Sequence, residues 1–324
     1  MIEVLKYSHE RHIEWNNFIN SSKNGTFMHK RDFIEYHKNK FHDYSLMVYI
    51  NSKLIALLPA NKNSNIKLVS HEGLTYGGII VNNEIRLNTY LKVIKAIIEF
   101  LNNNGILELH VRVMPDFYTN APSQEYQYAF FLLNAFKTRV DTSLTINQKN
   151  KINYQNRRKR SIKKGKNGDF IIKKDNNFEL FWNQILVPNL NERFGTKPTH
   201  SLSEIKLLFK SFQENISQVN VYENNKIVAG ATIFETKNVA HAQYISSNNY
   251  GRKSGALDYL FDVMITELYS DFDFFDFGIC NEKKGMAINH GLLDWKEGFG
   301  ARTFVHEFYK INTNLADKLN LIIS

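Results

Sequence analysis

Two stretches of the sequence combine residue types at spacings that could do chemistry. The first runs Tyr244-Ile-Ser-Ser-Asn-Asn-Tyr-Gly-Arg-Lys-Ser-Gly-Ala-Leu-Asp-Tyr-Leu260. A strand over 240–245 ends in a polar loop carrying Arg252, Lys253, Ser254 and Gly255, and a helix is expected to open near Gly255. Backbone N–H groups at a helix start are unsatisfied, and the helix dipole favours an anion there. Gly251 and Gly255 would admit a ligand close to the backbone while Arg252 and Lys253 add charge, so a pyrophosphate is the expected guest. The loop has neither the Walker spacing nor that of a dinucleotide fold. The second stretch, Phe274 to Arg302, reads as an aromatic strand, a polar turn, a short helix closing in Glu-Gly-Phe-Gly and a final strand over 303–311.

Other chemistries fall away. His9-Glu10-Arg11-His12 has the wrong spacing for a helical zinc pair, so no metal site is expected. No Gly-x-Ser-x-Gly elbow occurs. Cys280 is the one cysteine; it excludes an intramolecular disulfide, fits a reducing compartment, and after an aromatic strand reads as a small buried side chain. No run approaches 18 apolar residues, and the amino terminus lacks a signal-peptide core, so a cytoplasmic protein without a membrane span is expected.

The elements that must position these stretches are written twice. Val48–Leu57 reads VYINSKLIAL and Val221–Gly230 reads VYENNKIVAG, each a hairpin turning on an Asn pair or Asn-Ser. After the first come Tyr76-Gly77-Gly78, a helix with Leu87, Tyr90, Leu91, Ile94, Ile97, Ile98 and Leu101 on one face, and a strand over 106–113. After the second come the loop at 246–254, a helix with Leu257, Leu260, Phe261, Met264 and Leu268, and a strand over 272–277. The order implies an α/β fold (α+β, mixed sheet) with helices packed on the sheet, built from two units: residues 1–148 and 169–324.

Between them, residues 149–168 hold the charge. The chain has 41 Lys+Arg against 32 Asp+Glu, and nine of the cations lie between Lys149 and Lys166 with no acid among them. Without that segment the chain is neutral, which argues for one localised anionic partner and against a general affinity for DNA. Asn156–Lys164 reads as a short basic helix ended by Gly165 and Gly168. The 24 Phe and 16 Tyr are not interleaved with it, so no base-stacking platform is written there.

Together, Arg157–Gly165, Gly251-Arg-Lys-Ser-Gly-Ala256 and Trp295-Lys-Glu-Gly-Phe-Gly300 resemble the GNAT superfamily of acyl-CoA N-acyltransferases, and within it the tandem FemAB-type branch, over about residues 45–311. The resemblance implies a donor, acetyl-CoA or another acyl-CoA, whose pyrophosphate rests on Arg252, Lys253, Ser254, Gly255 and Ala256. Its pantetheine would pair between two splayed parallel strands, 240–245 and 272–277, with backbone N–H groups near Ile245 polarising the carbonyl. His241, Glu282 and Asp276 are the candidate bases. The tyrosine that many GNAT enzymes use as the acid is missing from the last helix, so that role is vacant or taken by Tyr244. Lys296 matches the lysine of the branch's Phe-Lys motif, beside the reacting groups, with Trp295 in place of the aromatic. The acceptor would be a small amine in a cleft between the units, touched by Tyr76, Gly77 and Trp295, its phosphates clamped by Arg157, Arg158 and Arg160. An alternative within the branch is transfer from aminoacyl-tRNA to a cell-wall precursor; another is a pair of units that binds without catalysis.

Overall fold

The computed structural model describes residues 1–323 and resolves into two compact units, residues 1–141 with 305–324, and residues 142–304. The division departs from the one the sequence suggests. Residues 305–324 pack with the first unit, because the last long strand pairs with a strand some 200 residues earlier, a partner that local patterning does not reveal. The basic segment is a helix of the second unit.

In unit 1, strands β1 (Ile2–Lys6), β2 (Leu46–Ile50) and β3 (Lys53–Leu58) form an antiparallel sheet. Strand β4 (Lys67–Val69) runs parallel to β5 (Glu108–Arg112), which pairs antiparallel with the end of β12 (Arg302–Asn312). Helix α1 (Leu87–Asn103) buries Tyr90, Leu91, Val93, Ile94, Ile97, Ile98 and Leu101 against these strands, the face its periodicity predicts except that Leu87, in the first turn, is exposed and Val93 is buried. Each such aliphatic side chain contributes about 1.5–3 kcal/mol by leaving water.

In unit 2, helix α2 (Asn156–Lys166) precedes β7 (Ile171–Lys174). A helical stretch over 178–194, with a π turn at Phe181–Leu186, and helix α3 (Leu202–Ser211) follow. Then come β8 (Ile216–Glu223), β9 (Lys226–Glu235) and β10 (Val239–Ser247), helices α4 (Asn249–Ser254) and α5 (Ala256–Val263), strand β11 (Phe274–Ile279) and helix α6 (His290–Glu297). The sheet order is β7-β8-β9-β10-β11-β6, where β6 is Phe136–Asn147 and contributes residues 142–147 to this unit. One face, with Ala231, Ile233, Ala240, Ala242, Phe275 and Phe277, packs on Leu260 and Phe261 of α5 and on Met264 just after it. The other face is polar and buried, with Gln218, Asn220, Thr232, His241 and Ser246, and lies under Phe181 and Trp182 of the π turn.

The duplicated hairpin is visible in the backbone. Asn51 and Ser52 have φ of 48° and 65°, Asn224 and Asn225 of 48° and 62°, the two positive values of a type I′ turn. A bulge follows at matching places, Val48/Tyr49 and Val221/Tyr222.

Helix α2 is less evenly cationic than its sequence suggests. Arg158, Ile162 and Gly165, at i, i+4 and i+7, are buried against α5. The approach is close: a Cβ on Gly165 would lie 2.5 Å from the Gly255 carbonyl oxygen, and one on Gly255 2.4 Å from that of Ser161. Gly255 also has φ of 85°, the left-handed joint between α4 and α5. Gly255→Ala is therefore expected to cost about 1–3 kcal/mol, through backbone strain and displacement of α2. Urea unfolding reads this directly, and an unmoved midpoint contradicts the packing described.

Candidate active site

Strands β10 and β11 run parallel but pair only at Val239↔Phe274, Ala240↔Phe275 and His241↔Asp276. Beyond that register β10 stays with β9 as far as Ser247, and β11 stays with β6 through Ile279↔Ser143. The two strands fork. Two local irregularities lie on the arms: a bulge in β10 between Ala242 and Tyr244, and Gly278 of β11 at φ 75°. A Cβ on Gly278 would stand 3.2 Å from Cε1 of His241, so the glycine leaves room for the imidazole.

At the root of the fork His241 Nδ1 and Asp276 Oδ2 are 2.8 Å apart. The other carboxylate oxygen accepts from the Ser143 hydroxyl at 2.7 Å, the Thr145 hydroxyl at 2.9 Å and the Gly278 amide at 2.9 Å. Burial pushes the Asp276 carboxyl up, but the bond and charge of His241, the Ser143 hydroxyl and the Gly278 amide outweigh it and hold the group well below the usual carboxylate range. An ionised carboxylate at Nδ1 fixes the proton there and leaves Nε2 as the basic atom, the relation that orients histidine in hydrolase triads.

Lys296 of α6 is 2% exposed, and its ammonium donates to the carbonyls of Gly278 and Ile279, both at 2.9 Å, on the β11 arm. Burial pushes its pKa down, opposed by Cys280 and Asp276 nearby. The Cys280 thiol is buried as expected and pushed up by burial, which makes it a poor nucleophile.

Several expected site residues are elsewhere. Tyr244 lies edge-on to Trp182; its hydroxyl is 2.5 Å from Nδ1 of His200 and accepts from the His200 amide at 3.0 Å. Burial raises its pKa to about 12, so it is already engaged and a weak acid for a leaving group. Glu282 is exposed and accepts from Asn289; no hydrogen bond or ion pair joins it to the fork among the described residues. Ile245 is half-buried on the β10 arm.

The loop expected to cradle a pyrophosphate is the short helix α4. The Asn248 side chain caps it at the Gly251 amide, and the Arg252 and Gly255 amides bond back to Asn248 and Gly251. Arg252 is exposed beside Asn249, Lys253 gives its carbonyl to Lys164, Ser254 bonds Gly251, and Ala256 is buried. Helix α2 covers Gly255, so these residues do not form an open anion cradle.

Two of the three arginines expected to form a clamp are likewise spent. Arg158 is buried and ion-paired with Asp258, which also accepts from Trp295 Nε1 at 2.7 Å. Arg157 pairs with Asp294 and Lys166 with Asp262, while Arg160 is exposed. Trp295 thus fastens α6 to α5 and does not face a ligand. In unit 1, Tyr76 is wholly buried against Tyr118. Gly77 donates to the Arg112 carbonyl and borders a recess of 20 Å³, room for about one water. His200 and Asp258, the partners that decide these roles, carry no local sequence signal.

No protein-family model matches the sequence, and no curated protein matches it. Solved structures do. FemX aligns over 99% of this chain and 100% of its own, with a TM-score of 0.66 at 11% identity. A tandem GNAT protein from the clavulanic acid biosynthesis pathway aligns over 97% and 99%, with a TM-score of 0.51 at 6% identity. The fold is a tandem GNAT fold of the FemAB type. The C-terminal domain of a protein described as a lysylphosphatidylglycerol synthetase from Agrobacterium fabrum shares it, over 97% of this chain and 95% of that one, with a TM-score of 0.60 at 11% identity. In the tandem GNAT fold the β10–β11 fork is the splayed strand pair anticipated from the sequence, and the His241–Asp276 pair stands at its root. Among the described residues no three His, Cys, Asp or Glu side chains are grouped to hold a metal ion, and no helix is long and apolar enough to cross a membrane.

Proposed function

We propose that unit 2 is an N-acyltransferase that acylates an amine at the β10–β11 fork. The observation that carries this reading is the buried His241–Asp276 pair at the last paired register of the two strands. Nε2 of His241 takes a proton as the amine attacks the donor carbonyl, and the imidazolium, stabilised by Asp276, returns one to the leaving group. Backbone amides on the β10 arm, no longer spent on β11, polarise the carbonyl, and Lys296 holds the β11 arm in its diverged course.

The donor has two readings. Acetyl-CoA or another acyl-CoA accords with the fold, and its acceptor would be a small, phosphate-bearing amine or a cell-envelope precursor. An aminoacyl ester on tRNA is favoured by one specific observation: the Gly251, Arg252 and Gly255 amides are bonded within α4 and α2 covers Gly255, so the cradle expected over residues 252–256 is closed. Lys151, Lys159, Arg160 and Lys163 remain exposed for a polyanion.

Calorimetric titration with acetyl-CoA, CoA and aminoacyl-tRNA at two salt concentrations separates them. The second reading expects tRNA binding that falls steeply with salt and no saturable CoA binding. Micromolar CoA binding at either salt reverses the choice. No binding by either donor leaves a non-catalytic binding module.

A further inference from the structure

With Arg157 and Arg158 of α2 already paired to acids, unit 1 supplies another cationic feature. On β5, β12 and β6, the side chains of Arg112, Phe308 and Arg139 form a row. Phe308 stands opposite Arg112 in the β5–β12 register, and the carbonyl of Phe308 accepts from Thr138 beside Arg139. The two guanidinium carbons lie 5.1 and 4.8 Å from the centroid of the Phe308 ring.

The two arginines are neutralised unequally. Arg139 is paired at both nitrogens with Asp141, Nε to Oδ1 at 2.8 Å and Nη2 to Oδ2 at 2.6 Å, and that carboxylate side chain is 3% exposed. Arg112 has no carboxylate partner among the described residues. Its Nη1 donates to the carbonyls of Leu74 and Thr75, and no protein acceptor bonds its Nε or Nη2. The other acid nearby, Glu72, is exposed and already accepts from the Asn61 and Asn63 side chains. Burial and the charge of Arg139 both push Arg112 down, opposed by Asp141 and Glu72, and hydrogen bonds pin its guanidinium at one nitrogen.

We propose that the Arg112–Phe308–Arg139 row of unit 1 binds an oxyanion, a phosphate or a carboxylate, on the Nε–Nη2 edge of Arg112. That edge offers two parallel N–H donors, the geometry that matches two oxygens of either group. The ring of Phe308 and the carbonyls of Leu74 and Thr75 hold the plane of the guanidinium, so little is lost in ordering it when the ligand arrives. Asp141 competes for the same field, which gives the site a second, opposite handle.

Binding is read without any transfer reaction, so the outcome stands apart from whether unit 2 acylates an amine. The full chain is titrated with inorganic pyrophosphate and with malonate by calorimetry; the stronger of the two arms identifies phosphate or carboxylate as the ligand group. Arg112→Gln is expected to weaken binding about tenfold or more, the loss of a charge-assisted bidentate contact. Asp141→Asn is expected to tighten it several-fold, by removing the competing carboxylate. Circular dichroism confirms that each variant is folded, and should Arg112→Gln fail to fold, the Asp141→Asn arm still decides. No saturable binding of either probe at about 10 mM overturns the proposal. So does equal affinity in the wild type and both variants.

Discussion

His241→Ala is expected to lower the rate of amine acylation by about 10²–10⁴-fold, the usual contribution of a positioned general base. Asp276→Asn is expected to lose at least as much although it preserves shape, because an amide at that place does not hold the Nδ1 proton or stabilise the imidazolium. Single-turnover measurements with the donor that binds check both, and retention of the rate within a few-fold in His241→Ala removes the histidine from the mechanism. Stability reports the structural role of the pair. Asp276→Ala strands the Ser143 and Thr145 hydroxyls, the Gly278 amide and the imidazole without their shared acceptor. Breaking a buried charged network by removing one member costs about 3–5 kcal/mol. A thermal melt should therefore report a large downward shift for Asp276→Ala, and a downward shift also for His241→Ala, which leaves the buried carboxylate without its imidazole partner.

Unit 1 is expected to lose stability in mild acid. His29 and His71 are buried, and burial depresses their pKa to about 4 and about 3; for His71 the charges of His37, Arg31, His29 and Arg112 push the same way. In the unfolded chain each imidazole takes up a proton near pH 6.5. Between that pH and the folded values the unfolded state binds more protons, so the stability is fully present above about pH 6.5 and falls as pH is lowered. Each histidine contributes on the order of 3 kcal/mol over that window. The depressed carboxyl of Asp276 acts in a different range: its contribution is present above the ordinary aspartate value, about 3.9, and is lost below it. Hydrogen exchange at pH 7.5 and pH 5, corrected for intrinsic rates, should show protection falling in residues 1–141 and holding in residues 142–304. His29→Asn retains an acceptor for the Thr26 amide, which Nδ1 takes at 3.0 Å, and should flatten the dependence. Uniform protection at both pH values refutes the assignment.

The hairpins were legible in the sequence for a physical reason, since Asn-Ser and Asn-Asn supply the positive φ of a tight turn, whereas the fork was implied only by the family resemblance. Alternation alone left Asp276 undecided, since phenylalanines flank it on both sides and either face of β11 reads as apolar. What decides it is Ser143 and Thr145, more than 130 residues away, and no local pattern encodes that pairing. The misplaced roles share this cause. Gly255 was read for the space it leaves to a ligand, and that space belongs to Ser161. Arg158 was read as a free cation, and its partner Asp258 lies a hundred residues on. Charge in a sequence is a count; whether a cation is available depends on carboxylates that only the tertiary fold brings near.

The split of unit 1 into residues 1–141 and 305–324 has a consequence for synthesis. On the ribosome, strand β5 emerges about 200 residues before its partner, residues 308–312 of β12. Unit 2 lies wholly between them and has all its residues available first. Until β12 arrives, the edge of β5 presents unpaired N–H and C=O groups, the kind of template on which nascent chains aggregate or recruit a chaperone. Unit 1, which starts before unit 2, can thus close only after it.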